Sequence, residues 1–145
     1  MNEPDITQQL RRFLLGVVAV TLVVTPFELI LLEHTEELLQ WIPFVVSGIG
    51  LLAVAGAWFS PGITSLKILR WVMVLLALTS FVGVYFHFSS NLSFVREINP
   101  SYGLMESIWP AMKGSHPLLA PGILLLAGIL GLAATYRHPL LARNE

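Results

Sequence analysis

FLLGVVAVTLVVTPFELILL, the stretch from Phe13 to Leu32, decides the fold of this 145-residue chain because its only charged residue is Glu28. A membrane core is about 30 Å thick, so about 20 consecutive apolar residues in a helix make one crossing. The run is longer than the roughly 7–15 apolar residues of a signal-peptide core, and no small-residue cleavage site follows it. We therefore predict a retained transmembrane helix.

Three further stretches have similar length and character. They cover residues 41–59, 68–86 and 118–136. Inside lipid every backbone N–H and C=O group must be satisfied within its own segment, which favours helices. A transmembrane β-barrel would show alternating apolar and polar residues, and these runs are continuously apolar. The sequence predicts an all-α membrane protein, with a four-transmembrane-helix bundle forming a single integral membrane domain over residues 1–145.

The overall composition agrees with a lipid surrounding. Apolar residues make up 55% of the chain and charged residues 12%, with a mean hydropathy of +0.75. A soluble domain carries about 25% charged residues, so this chain has too little charge to cover a water-facing surface. A net charge of -1 without a basic patch argues against nucleic acid as a partner. The absence of cysteine excludes disulfides and thiolate metal sites.

Basic residues predict how the chain is oriented, because short cytoplasmic loops carry an excess of Lys and Arg. Six of the eight basic residues fall on one side of the predicted spans, and two fall on the other. The six are Arg11, Arg12, Lys67, Arg70, Arg137 and Arg143, and the two are Arg96 and Lys113. We predict a multi-pass protein of the cell membrane with both termini in the cytoplasm.

The connection at residues 87–117 is the only long one, and it shows a helical pattern of its own. Asn99-Pro100 is typical of a helix N-cap followed by proline at the first helical position. Apolar residues then recur at helical spacing until Gly114. We predict a short amphipathic interfacial helix at about 100–113, lying on the outer membrane surface or capping the bundle.

Glu28 lies inside the first apolar run, where an ionisable group is costly and often functional. Thr21 and Thr25 precede it at helical spacing and form a polar stripe with it. One interpretation is a buried carboxylate that passes a proton or cation, as in a small carrier. The alternative is a carboxylate close enough to the interface to reach water.

Histidine and glutamate side chains gather on the predicted outer side. His34 and Glu37 are three residues apart, and both would project from one face if the first helix continued past Leu32. His87 follows the third span, and Glu97 lies ten residues further on. Imidazole and carboxylate ligands suit a transition metal such as Zn, Cu, Fe or Ni. This pattern predicts a metal or proton site built from His34, Glu37, His87 and Glu97, with Glu28 or His116 as additional members.

Three functions are compatible with the sequence. The first is an accessory or structural subunit that packs with a membrane partner, or with its own copies, through stripes of small residues. Such stripes are Ala53 and Ala57, Thr79 and Gly83, and Ala127 with Gly131 and Thr135. The second is a metal-binding or redox protein using the His/Glu site, and the third is the carrier. No catalytic motif predicts an enzyme.

Overall fold

The computed structural model describes residues 3–142, and every regular element within them is helical. The α-helices are α1 (Glu3–Leu31), α2 (Ile42–Phe59), α3 (Ile63–Ile98), α4 (Leu104–Met112), α5 (Gly122–Ala134) and α6 (Pro139–Ala142). A 3₁₀ turn, Leu38–Trp41, leads into α2. Arg143, one of the six basic residues on the predicted cytoplasmic side, lies outside the described residues.

Three segments are long and apolar enough to cross a membrane by length and composition: Ile6–Leu31, Leu38–Phe59 and Ile63–Ile98. α5 is also apolar but has 13 residues. The apolar side chains of these helices face both inward and outward; in α1, Val18 is 0% exposed and Val20 is 64% exposed. Apolar surface of this extent is unsuited to water and suited to lipid.

α1 ends in a Schellman motif. The N–H of His34 donates to the carbonyl of Leu29 at 2.9 Å, and the N–H of Glu33 donates to that of Ile30 at 3.0 Å. Glu33 takes a left-handed conformation with φ of 54°, as the residue after such a helix end normally does. The condition under which His34 and Glu37 would share one helix face, a first helix that continues past Leu32, is therefore not met, and the turn redirects the chain at His34.

α3 is one continuous helix of 36 residues, about 54 Å long at 1.5 Å per residue. The prediction of a loop from residue 87 is wrong, because residues 87–98 continue the helix beyond the apolar stretch. The helix ends at Ile98, because Pro100 disfavours helical backbone at Asn99. The first part of the predicted loop is thus a polar extension of α3, residues 87–98.

α4 is shorter than predicted and begins at Leu104. Asn99 is not its N-cap. The side-chain amide of Asn99 instead donates to the carbonyl of Val95 at 3.3 Å and caps the end of α3. The carboxylate of Glu106 instead accepts from the N–H of Gly103 at 2.8 Å. Ser107 and Ala111 are fully buried, and α4 packs against α3.

α5 begins at Gly122, four residues later than predicted. Residues 117–124 form turns with bonds to the third residue back, such as the N–H of Gly122 to the carbonyl of Leu119 at 2.9 Å. The prolines at 117 and 121 explain this, because proline has no N–H to donate and disfavours helical backbone before it.

The three long apolar helices and the shorter α5 contact each other in a ring. α1 packs against α2 and α5, and α3 packs against the same two helices. Leu22, Leu69, Met73 and Leu76 are fully buried between them. Gly128 is buried, and a Cβ atom there would lie 2.6 Å from the carbonyl oxygen of Met73. Among the predicted small-residue stripes, Ala57, Ala127 and Thr135 are buried, and a Cβ atom on Gly131 would collide with Met73. Most of these stripes therefore face neighbouring helices of the same chain.

Two arginines hold the C-terminal end of α5. Arg11 donates to the carbonyls of Tyr136 and Arg137 at 3.2 and 3.1 Å. Arg70 donates to the hydroxyl of Thr135 at 3.1 Å. Positive charge is favourable at this end of a helix, where carbonyl groups lack partners. The starts of α1 and α3 and the end of α5 therefore lie at the same end of the molecule.

Candidate functional site

The end of the molecule opposite these arginines contains a cavity of about 560 Å³. It is bounded by the last turns of α1, the connection to α2, the middle of α3 and the start of α5. We call it the histidine cavity, because it is lined by three histidines. The polar lining residues are Thr25, His34, Glu37, Gln40, Thr79, His87, Ser90 and His116.

The walls of the histidine cavity are mainly apolar. Leu29, Val82, Phe86, Ile123 and Leu124 contribute side chains from three helices. A pocket with apolar walls and a few polar groups is the usual form of a small-molecule site. The cavity can therefore surround an apolar body while its polar groups contact one end of it.

The three imidazoles form a chain of close neighbours. The ring centroids of His34 and His87 are 6.3 Å apart, and those of His87 and His116 are 6.0 Å apart. Each ring comes from a different part of the chain: the turn after α1, the middle of α3 and the connection before α5. The redirection of the chain at His34 is what brings the first ring toward the second.

His87 is held by the backbone of the connection before α5. Its Nδ1 atom lies 3.0 Å from the carbonyl oxygen of Pro117. That oxygen would accept from the N–H four residues later in a regular helix, but residue 121 is a proline and has no N–H. The N–H of Ala120 donates to this carbonyl at 3.3 Å, and Pro121 leaves its other acceptor position to the imidazole.

His116 is held by Asn91, a residue of the α3 extension that is 1% exposed. The Asn91 amide donates to the carbonyl of His116 at 2.8 Å and accepts from the His116 N–H at 3.0 Å. Its oxygen also lies 3.1 Å from Nδ1 of the His116 ring. Gly114 makes this contact possible, because any Cβ atom there would collide with the Asn91 side chain.

Asn91 was missed by sequence reasoning. It lies four residues after His87, so the two side chains share a helix face. This four-residue spacing would have predicted the pairing of Asn91 with the site, but only if α3 had been predicted to continue past Phe86. His116, which the sequence suggested only as an additional member, belongs to the centre of the cluster.

Two of the predicted site residues lie elsewhere. Glu28 is exposed and does not line the histidine cavity, and its role in passing a proton or cation stays a prediction. Glu97 lines a separate surface depression with Ser93 and Arg96. The structure therefore brings His34, Glu37 and His87 to one cavity, adds His116, and leaves out Glu97.

Among residues 3–142, no group of three or more His, Cys, Asp or Glu side chains has the spacing needed to hold a metal ion. Metal binding by the predicted residues stays a prediction, and it requires their side chains to reorient. No family model matches the chain, and neither a curated protein nor a solved structure is significantly similar to it.

Proposed function

We propose that this chain is a four-span membrane protein whose histidine cavity binds a small lipid-soluble molecule with a polar head. The observation that carries the proposal is a cavity of about 560 Å³ with apolar walls and three imidazoles. Small-molecule sites typically have volumes of about 300–1,000 Å³. The apolar body of the ligand lies among Val82, Phe86 and Leu124, and its head lies beside the histidines.

The height of the bundle supports a fourth crossing. Pro117 contacts His87 at one end of the segment that contains α5, and Thr135 contacts Arg70 at its other end. Arg70 and His87 are 17 positions apart in α3, which is about 26 Å of helix. Residues 117–135 thus cover nearly the thickness of a membrane core, about 30 Å. The 3₁₀-type turns before α5 contribute to this, because they rise about 2 Å per residue.

The distribution of basic residues supports the orientation proposed for this bundle in the cell membrane. Arg11, Lys67 and Arg70 lie near the starts of α1 and α3, and we place that end in the cytoplasm. The histidine cavity then opens on the outer side. α4 lies there with Met105, Trp109 and Met112 exposed, an apolar face suited to the membrane surface.

The other predicted functions have less support. The stripes that suggested an accessory subunit pack largely within the chain, and Glu28, which suggested a carrier, is exposed away from the cavity. A transition metal at the three imidazoles is favoured by their proximity alone. A membrane partner, a homo-oligomer and a bound metal all stay predictions.

Native mass spectrometry of the full chain, released from native membrane into detergent, tests ligand binding. We expect the wild-type spectrum to show the protein with a small lipid-soluble molecule still bound. Val82→Trp should remove it, because the larger side chain fills the cavity. Val20→Trp, the same change on the exposed face of α1, is the matched control.

Two outcomes would contradict the proposal. One is a wild-type protein that carries no such molecule after release from native membrane. The other is a Val82→Trp variant that retains the molecule as well as the Val20→Trp variant does.

A further inference from the structure

We infer that the histidine cavity selects ligands whose polar head donates a hydrogen bond, because His87 and His116 both present an unprotonated Nε2 atom. This inference rests on the proposed function and names its ligand class: lipid-soluble alcohols and phenols. Ketones, ethers and esters of the same shape are disfavoured.

The tautomer of His87 follows from its partner. A backbone carbonyl oxygen only accepts hydrogen bonds, so the contact of 3.0 Å to Pro117 requires a proton on Nδ1. A neutral imidazole has one protonated nitrogen and one lone pair. The nitrogen left for a ligand of neutral His87 is therefore Nε2, and it is an acceptor.

The tautomer of His116 follows from the orientation of the Asn91 amide. That orientation is fixed, because rotating the amide by 180° would place its NH₂ against the His116 N–H and its oxygen against the His116 carbonyl. The oxygen therefore faces Nδ1 at 3.1 Å, and Nδ1 must be the donor. The hydroxyl of Ser115, 3.5 Å from the same nitrogen, can accept as well. Nε2 of neutral His116 is again an acceptor.

Of the other polar lining groups, Thr79 gives its hydroxyl proton to the carbonyl of Leu75 and can only accept from a ligand. The hydroxyls of Thr25 and Ser90 can donate or accept, and the Gln40 NH₂ can donate. The donor preference therefore applies to a head group placed at the two imidazoles.

When ionised, Glu37 has no proton to donate and can only accept hydrogen bonds. The ring of His34 contacts the ring of His87 and makes no hydrogen bond within the described residues, so either of its ring nitrogens can carry the proton and the other accepts. Neutral His87 and His116 with ionised Glu37 thus offer three acceptors, and a ligand hydroxyl satisfies one of them.

A matched pair of probes tests the inference. 4-Octylphenol and 4-octylanisole share the alkyl chain and the ring, but the methyl ether has no proton to donate. We expect the wild-type chain in detergent at pH 7.5 to bind the phenol about tenfold more tightly, as measured by native mass spectrometry. That ratio corresponds to about 1.4 kcal/mol.

Asparagine variants remove the Nε2 acceptors while retaining the supporting bonds. In His87→Asn and His116→Asn, the asparagine NH₂ can occupy the position of Nδ1–H; its carbonyl oxygen then lies where the ring carbon Cδ2 was, and no group replaces Nε2 at the ligand. The double variant should bind the two probes within twofold of each other. His138→Asn, at the other end of the molecule, is the matched control and should retain the tenfold ratio.

The remaining outcomes are distinguishable. Equal binding of both probes by the wild type overturns the donor preference and leaves the proposed function standing. Binding of neither probe overturns both. Stoichiometric binding of zinc chloride that displaces both probes shows that the imidazoles hold a metal ion, and it also overturns the inference.

Discussion

His138 follows α5 at the end of the molecule that contains Arg11. The N–H of Leu140 donates to Nδ1 of the ring at 3.3 Å, which requires an unprotonated Nδ1. Burial lowers the pKa of His138 below its usual 6.5, and the positive charge of Arg11 lowers this pKa further. The folded protein therefore favours the neutral ring.

This pKa predicts how stability depends on pH. The unfolded chain, in which the histidine has its usual pKa of 6.5, binds a proton more readily than the folded protein. The contribution of His138 to stability is therefore complete above pH 6.5 and decreases as the pH falls below it. His138→Asn keeps an acceptor for Leu140 but does not titrate. We expect its unfolding temperature in detergent to fall less between pH 7.5 and 5 than that of the wild type.

The comparison is internal, because the two proteins differ only at residue 138. At pH 7.5 the two unfolding temperatures should be similar. Parallel curves over the whole pH range would show that His138 does not contribute to the dependence.

At the residue scale, the sequence grouped three side chains that do lie at one cavity, but the helical continuation that would have explained the grouping is absent. His34, Glu37 and His87 do line one cavity, although the first helix does not continue to Glu37. Glu97 was included on proximity in sequence and lies on another surface. Asn91 was left out because a buried amide resembles any loop asparagine until the helix around it is known.

Among the elements, α5 depends on a close approach to α3. A Cβ atom on Gly128 would lie 2.6 Å from the carbonyl oxygen of Met73 and 3.2 Å from the Cβ of Ala77. Backbone atoms cannot rotate away as a flexible side chain can. The two helices must therefore separate to accept any larger residue at this position.

Gly128→Ala should consequently destabilise the protein by about 1–3 kcal/mol, the usual cost of overpacking a core. Gly122→Ala in the same helix is the matched control, because nothing lies within 4 Å of a Cβ atom there. Thermal unfolding in detergent measures the difference. Equal unfolding temperatures for the two variants would show that α3 and α5 do not pack as described.

The helices themselves show what hydropathy can and cannot predict. Apolar runs located α1, α2 and most of α3, because lipid requires continuous apolar length. The apolar runs did not predict where the helices begin and end, because a helix can continue through polar residues. The end of α3 was set instead by Pro100, and the start of α5 by Pro117 and Pro121.

For the whole molecule, the proposed topology can be tested by labelling, since the chain contains no cysteine. Single cysteine variants at exposed positions are treated with a membrane-impermeant maleimide, and their reaction reports the side of the membrane on which each position lies. Gln8→Cys, Ser60→Cys and Pro139→Cys should react on the cytoplasmic side. Glu36→Cys and Ser101→Cys should react on the outer side.

Pro139 is the decisive position, because it follows α5. If Pro139→Cys reacts on the same side as Ser101→Cys, α5 does not cross the membrane and the protein has three spans. Reversal of all five sites together would instead retain the four-span bundle and invert its orientation.

The contact between α1 and α5 has a consequence for biosynthesis. The ribosome makes α1 first and α5 last of the four helices in the ring, yet these two helices pack against each other and Arg11 binds the carbonyls of Tyr136 and Arg137. A nascent chain halted before residue 122 leaves one flank of α1 and of α3 facing lipid, and the histidine cavity lacks the wall that contains Leu124. In the proposed four-span bundle, the ring of helices is therefore closed only once α5 has been made, rather than by stepwise addition of finished pairs.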